Sequence, residues 1–162
     1  MHYWTLLQIL GLLTLANGTP VVAKRVFGDR LAWPLDGNCN FIDGRPLLGT
    51  SKTIRGVLSS VVVTSACAPV VGLGVTTGFV VAVAAMAGDL LSSFLKRRLA
   101  LAPSSQAIGL DQIPESLFPL LACRQELGLT AADIVTGVAI FFAGELALSR
   151  VLFRLRFRDR PY

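Results

Sequence analysis

The chain has 162 residues, of which 53% are hydrophobic and only 15% charged, against about 25% charged residues in an ordinary soluble domain. That composition excludes a typical soluble domain, and equally excludes disorder, which needs low hydrophobicity and high charge. The net charge of +5 raises the question of nucleic acid, but the cations flank apolar stretches and form no soluble basic face, so no nucleic-acid partner is expected. The length leaves room for one domain, 1–162.

Cysteine and histidine usage narrows the chemistry. Cys39, Cys67 and Cys123 are odd in number, widely spaced and without a Cys-x-x-Cys pair, so neither a disulfide framework nor a zinc knuckle is indicated. His2 is the single histidine, which excludes Ser-His-Asp, Cys-His and histidine-based metal sites.

The first apolar segment is expected over about 3–22. Nothing charged precedes Leu6, and Tyr3 and Trp4 read as an interfacial aromatic anchor rather than the start of a cleaved signal. Gly56 to Gly88 then runs for 33 residues without Asp, Glu, Lys or Arg. As one helix it would be about 50 Å long, too much for a hydrocarbon core of roughly 30 Å. Gly72 and Gly74, after Pro69, divide it into helices over about 56–71 and 75–92. A fourth segment over about 108–124 is short and interrupted by Pro114 and Pro119. A fifth, 131–152, carries one internal acid, Glu145, read as an intramembrane structural residue.

Charge placement supports five crossings. Lys24, Arg25, Arg30, Arg45, Lys52 and Arg55 follow the first segment, and Lys96, Arg97 and Arg98 follow the third. Arg150, Arg154, Arg156, Arg158 and Arg160 follow the fifth, leaving Arg124 alone on the other side. The expectation is an all-α polytopic membrane protein with a polar loop over 23–55. Its N-terminus lies outside, and its C-terminus and polar face lie in the cytoplasm. The basic tail needs no more than topology and attraction to anionic headgroups.

Two polar stretches are left over. The first, Asp36 to Gly56, joins glycines, hydroxyls and the cations Arg45, Lys52 and Arg55 just ahead of a membrane helix. Close backbone approach, amide N–H groups and charge-assisted contacts suit an anion such as phosphate. The spacing from Gly44 and Gly49 to Lys52-Thr53 departs from a Walker P-loop, and no strand–loop–helix context surrounds it. The second stretch places Asp89, Ser92, Ser93 and Lys96 at i, i+3, i+4 and i+7, one face of a helix leaving the membrane. A carboxylate at the edge of an apolar span is costly and normally paired or functional. Asp111 and Glu115 bring further carboxylates to the same side. Carboxylates with hydroxyls and cations describe a magnesium-dependent site for a phosphorylated substrate.

Both stretches resemble the CDP-archaeol synthase family, small membrane cytidylyltransferases related to phosphatidate cytidylyltransferases. The resemblance rests on Asn17-Gly-Thr-Pro20, Asp43-Gly44-Arg45 through Gly49, Lys52-Thr53-Ile-Arg55-Gly56, Gly88-Asp89 through Ser93-Phe94-Leu-Lys96-Arg97-Arg98, and Leu110-Asp111-Gln112. It implies transfer of CMP from CTP to a lipid phosphate, with release of pyrophosphate. By position, it implies magnesium at Asp89 and Asp111. It further implies phosphate contacts from Lys52, Arg55, Lys96 and Arg97, with help from Ser93. Asp43, Gly44, Arg45, Gly49 and Thr53 shape the nucleotide loop. The family pattern has a second aspartate after Leu-Asp-Gln where this chain has Ile113-Pro114-Glu115. Either Glu115 replaces that carboxylate one position later, or metal binding is altered, and a different lipid acceptor is a third reading.

Two other classes compete. A CDP-alcohol phosphotransferase needs Asp-Gly-x-x-Ala-Arg, which Asp36-Gly37-Asn38-Cys39-Asn40-Phe41 breaks. A non-catalytic scaffold or transporter subunit would place its polar residues along a mid-membrane path, whereas here they gather on one face.

Overall fold

The structure, a computed structural model, describes residues 2–102, 105 and 107–154. Arg156, Arg158 and Arg160 of the basic tail lie outside the described residues, as does the Arg154 side chain. Among the described residues the fold is all-helical, with only two isolated bridges, Pro34 with Thr53 and Asn40 with Pro46. The helices are α1 (Tyr3–Phe27), α2 (Ile54–Cys67), α3 (Val75–Arg98), α4 (Gln112–Ala122) and α5 (Ala131–Arg154).

Four of these helices are long and apolar enough to cross a membrane: α1, α2 with its 3-10 extension Ala68–Val71, α3 and α5. Both α1 and α3 run past the expected ends at residues 22 and 92. Their last turns carry Lys24 and Arg25, and Lys96, Arg97 and Arg98, cations that the carbonyl end of a helix favours.

Pro20 lies inside α1 and has no N–H to give the Ala16 carbonyl. Ser60 of α2 supplies the missing donor, its hydroxyl 2.7 Å from the Ala16 oxygen. The repair fastens α2 to α1 at the point where Gly56 also approaches the Pro20 ring. Ser60→Ala is expected to cost about 1 kcal/mol, read from unfolding in detergent. In a Pro20→Ala background, where residue 20 regains its N–H, the same change should cost little. Equal costs in the two backgrounds would contradict the repair.

The α2–α3 turn uses Gly72 in the left-handed region, at φ +82°, where glycine carries no side-chain penalty. Beyond it Gly78 packs on α2 so closely that a Cβ would lie 2.5 Å from that of Ala68. Small residues at such crossings let apolar helices meet at backbone distance.

The fourth segment departs from expectation in form. Pro114 sits in the first turn of α4, where its missing N–H would have no partner in any case, and only Pro119 interrupts the ladder. The result is one helix of 11 residues, about 16 Å long. Its flanks meet both ends of α3. Asp111 meets Lys96 at the C-terminal end of α3, and Glu126 accepts from Thr77 near the start of α3 at 2.5 Å. A short helix with non-helical flanks is tolerated at membrane depth where protein surrounds it, and Ser116, Pro119 and Leu120 are fully buried.

The end opposite the polar loop is closed by a capping box on α5. Thr130 N–H donates to the Asp133 carboxylate at 3.0 Å and Asp133 N–H donates back to the Thr130 hydroxyl at 3.2 Å. The His2 backbone N–H donates to the same carboxylate at 3.1 Å, so α1 and α5 begin side by side. Between the ends the core is apolar, built on Ile9, Leu12 and Leu13 of α1, Val81 of α3, Leu120 of α4 and Phe141 of α5.

The segment between α1 and α2 folds around Asp36. Its carboxylate accepts from Leu48 N–H at 2.8 Å, Gly49 N–H at 2.9 Å and Asn38 N–H at 3.1 Å. Burial opposes ionisation, but the N–H groups of Gly49, Leu48 and Asn38 prevail and hold this carboxyl below its ordinary 3.8. A lowered folded value means that the stabilisation is complete above pH 3.8 and is lost as pH falls through the folded value. Amide protection at Leu48 and Gly49, corrected for intrinsic exchange, should therefore hold from neutral pH down to that point and then fall, while the helices keep theirs. Constant loop protection through strong acid would contradict the assignment.

Candidate active site

The C-terminal ends of α1, α3 and α5, the start of α2 and the start of α4 converge around a cavity of about 750 Å³. Its wall includes Lys52, Thr53, Arg55, Asp89, Ser93, Lys96, Arg97, Asp111 and Glu115. These residues come from sequence positions up to 63 apart, and antiparallel helices bring them to one end. Asp43, Gly44, Arg45 and Gly49 do not line the cavity. Asp43 and Arg45 lie on the outer flank, against Arg98.

Lys52 and Asp89 form the centre. The Lys52 ammonium lies 2.6 Å from one Asp89 oxygen and 2.5 Å from the other. Lys52 owes its position to the loop, where its carbonyl accepts from Leu35 N–H at 2.8 Å and its own N–H donates to Gly49 at 3.2 Å. Asp89 is set by α3, one residue after Gly88. A Cβ on Gly88 would lie 2.3 Å from the Pro114 carbonyl oxygen and 2.7 Å from Glu115 N. Only glycine allows α4 to begin so close. The close approach places Glu115 and Asp89 together on the cavity wall.

The other cations are held by backbone carbonyls and, at Lys96, by a carboxylate. Lys96 pairs with Asp111 at 2.6 Å and donates to the Ser105 carbonyl at 3.2 Å. Arg97 donates to the Ala102 carbonyl at 2.8 Å. Arg55 donates to the Gly28 carbonyl at 3.0 Å and to that of Arg30, and its guanidinium lies over the Phe27 ring. Ser93 is buried on the cavity side. Ser92 instead ties α3 to the incoming α4 segment, donating to the Leu110 carbonyl at 2.7 Å.

Several cavity residues were not assigned to the site from sequence. Lys24 and Arg25 end α1 facing it, and Glu145 and Ser149 of α5 complete the wall. Asn17 and Arg25 of α1 and Gln112 at the start of α4 also line it. The i, i+4 spacing of Glu145 and Ser149 was the one signal available for α5, and a lone acid in an apolar helix carries too little information to choose between structure and function.

The chemistry suits a polyanion. Six cations (Lys24, Arg25, Lys52, Arg55, Lys96, Arg97) face four carboxyls (Asp89, Asp111, Glu115, Glu145) across the cavity. That excess, in a partly desolvated recess, favours negative ligands. Arg55 Nε, Arg97 Nε and Asn17 Nδ2 are buried without a hydrogen-bond partner among the described residues. Buried donors of this kind are normally satisfied, and an oxygen-rich ligand would satisfy them. For a hard cation the fitting pair is Asp89 with Glu115, once Lys52 turns from Asp89 to a ligand phosphate. Asp111 is turned to Lys96, and among the described residues no group of three or more His, Cys, Asp or Glu converges as a closed cage. Two carboxylates plus ligand phosphates match the habit of magnesium.

Comparison with known proteins gives the same direction. Residues 5–162 match the family model described as CarS-like CDP-archaeol synthase. A CDP-archaeol synthase of Sulfurisphaera tokodaii is 32% identical over 99% of this chain and 98% of its own length. One of Pyrobaculum arsenaticum is 37% identical over 91% of each. A solved structure, described as an intramembrane enzyme for archaeal membrane lipid biosynthesis, aligns with a TM-score of 0.70 at 30% identity, covering 85% of this chain and 90% of that one. The helices are those of an integral membrane protein, and with nearly its whole length matched, the chain belongs to the CarS-like CDP-archaeol synthase family.

Proposed function

We propose that the cavity binds CTP beside a membrane lipid phosphate of the archaeol ether class and transfers CMP between them. A lipid phosphate oxygen forms a new bond to the α-phosphorus of CTP, the bond from that phosphorus to the bridging oxygen of the β-phosphate breaks, and pyrophosphate leaves. The lipid phosphate is already an anionic nucleophile, so no covalent enzyme intermediate is needed. Positioning and charge neutralisation are the work left to the protein.

Lys52, Arg55, Lys96 and Arg97 receive the phosphates, with the Ser93 hydroxyl donating among them. Asp89 and Glu115 are the residues that would hold magnesium, which when bound neutralises triphosphate charge and withdraws electron density from the reacting phosphorus. Asp111 holds the Lys96 ammonium toward the cavity and joins the metal only by releasing it. Thr53 caps α2, accepting from Gly56 N–H at 3.2 Å, and so fixes where Lys52 and Arg55 emerge. Asp43, Gly44, Arg45 and Gly49 act on the shape of the loop.

All five helices cross the bilayer in this reading, with the N-terminus outside and the cavity and C-terminus at the cytoplasmic surface. The one-sided distribution of Lys and Arg supports it. Arg124 lies beyond the far end of α4, away from the cavity.

The observation that carries the proposal is the meeting of a carboxyl pair and several cations in one recess of a chain from this family. The test is a panel of lipid phosphates, ether- and ester-linked, offered to the purified protein with CTP and magnesium. A CDP-lipid should form, best from the ether-linked acceptor. Preference for an ester-linked acceptor would overturn the lipid assignment, and no product from any acceptor would overturn the reaction.

A further inference from the structure

The Asp-Gly-Arg turn of the loop lies outside the cavity, yet it is tightly fastened, and the fastener is Arg98. One guanidinium nitrogen lies 2.6 Å from the Asp43 carboxylate, and the other donates to the Pro46 carbonyl at 2.6 Å and the Arg45 carbonyl at 3.3 Å. The guanidinium sits 4.7 Å from the Phe41 ring centroid and 5.0 Å from that of Phe94, and the two rings meet edge to face at 5.3 Å. In return Arg45 donates to the Arg98 carbonyl at 2.5 Å. Phe94 and Arg98 belong to α3, Phe41 and Asp43 to the loop. A planar fork lying against two rings while its nitrogens bind a carboxylate and two carbonyls cannot be reproduced by an ammonium.

Arg98 is not among the residues that line the cavity, and its guanidinium is engaged by the loop. Its effect passes through the loop. The turn it grips leads through Leu48 and Gly49, both pinned on Asp36, to Lys52. The loop thus meets α3 twice, at Lys52–Asp89 inside the cavity and at Arg98 outside it. Lys52 cannot give its full charge to Asp89 and to a phosphate at once. When a phosphate draws on Lys52, the inner fastening weakens and the outer one remains.

We propose that Arg98 is a positioning residue, a latch that keeps the loop and its Lys52 over the cavity while substrate is bound. This rests on the reading of the cavity as a phosphate site. It makes Arg98 a determinant of CTP affinity without a role at the reacting atoms.

The test uses the full chain in detergent and two readouts. Arg98→Ala should raise KM for CTP about tenfold, a loss of about 1.4 kcal/mol, with kcat nearly unchanged. Hydrogen exchange should quicken across residues 39–51 and stay unchanged in α1 and the first half of α3. Arg98→Lys, which keeps the charge but not the fork, should fall between, and Asp43→Ala should give part of the same effect without adding to it in the double variant. A fall in kcat at unchanged KM would overturn the proposal, as would unchanged loop exchange, strict additivity of the two changes, or full function in the lysine variant. If the wild type transfers no CMP, the reading of the reaction fails, and loop exchange alone still decides whether the latch exists.

Discussion

Asp89→Asn is expected to lower CMP transfer by about a thousandfold, close to 4 kcal/mol in the barrier, while leaving the protein folded. The substitution keeps size and shape, and the amide oxygen still accepts from Lys52, whose ammonium lies 2.5–2.6 Å from both Asp89 oxygens. What disappears is one negative charge. Under the proposed magnesium site, the substitution leaves Glu115 as one carboxylate where two would hold the cation with its phosphates. Lys52 also loses its counter-charge, so its orientation depends on the loop alone. Both consequences fall on the bound, reacting state, so kcat and kcat/KM should drop together. Transfer within tenfold of wild type in a folded Asp89→Asn protein would remove this residue from the centre of the site.

Gly88→Ala is expected to be severely damaging. The added carbon would meet the Pro114 carbonyl oxygen at 2.3 Å and Glu115 N at 2.7 Å. Both are backbone atoms, so no side-chain rotation relieves the overlap and α3 and α4 must separate. Overpacking of this kind costs about 3 kcal/mol. The separation also moves Glu115 from Asp89, and displacement by about an ångström at a reacting centre costs on the order of a hundredfold in rate. Gly144→Ala in α5 is the matched control, because a Cβ there meets nothing within 4 Å and alanine is the better helix former. The expected outcome is a destabilised, inactive Gly88→Ala protein beside a Gly144→Ala protein at least as stable as wild type. Equal behaviour of the two would contradict the close α3–α4 packing.

Much of the architecture was legible because membrane helices obey simple length and charge rules. The charge-free run from Gly56 to Gly88 demands a turn, and the only flexible place in its middle, Gly72 to Gly74, is where the turn occurs. The fourth segment was harder. Its two prolines read as interruptions, whereas a proline in the first helical turn breaks nothing, and its placement depends on contacts made with both ends of α3. Lys52, Asp89, Lys96 and Asp111 could be singled out as polar residues on the edges of apolar helices. Their pairing, Lys52 with Asp89 and Lys96 with Asp111, follows from helix packing and has no trace in local spacing. The Asp43-Gly44-Arg45 turn is the converse case. Its residue types suit phosphate, but only the fold reveals that they face Arg98 and not the cavity. Glu145 was read as structural because one acid in an apolar helix has no neighbours in sequence to give it a meaning.

The measurement that tests the central claim most directly follows the phosphorus atoms of CTP. Wild-type protein in detergent, with magnesium and a lipid phosphate, is given CTP labelled at either the α- or the γ-phosphate. The expected result is α-label in the lipid phase and γ-label in aqueous pyrophosphate, in equal amounts. Label from the γ-position in the lipid, or α-label remaining entirely in water, would contradict cytidylyl transfer by this cavity.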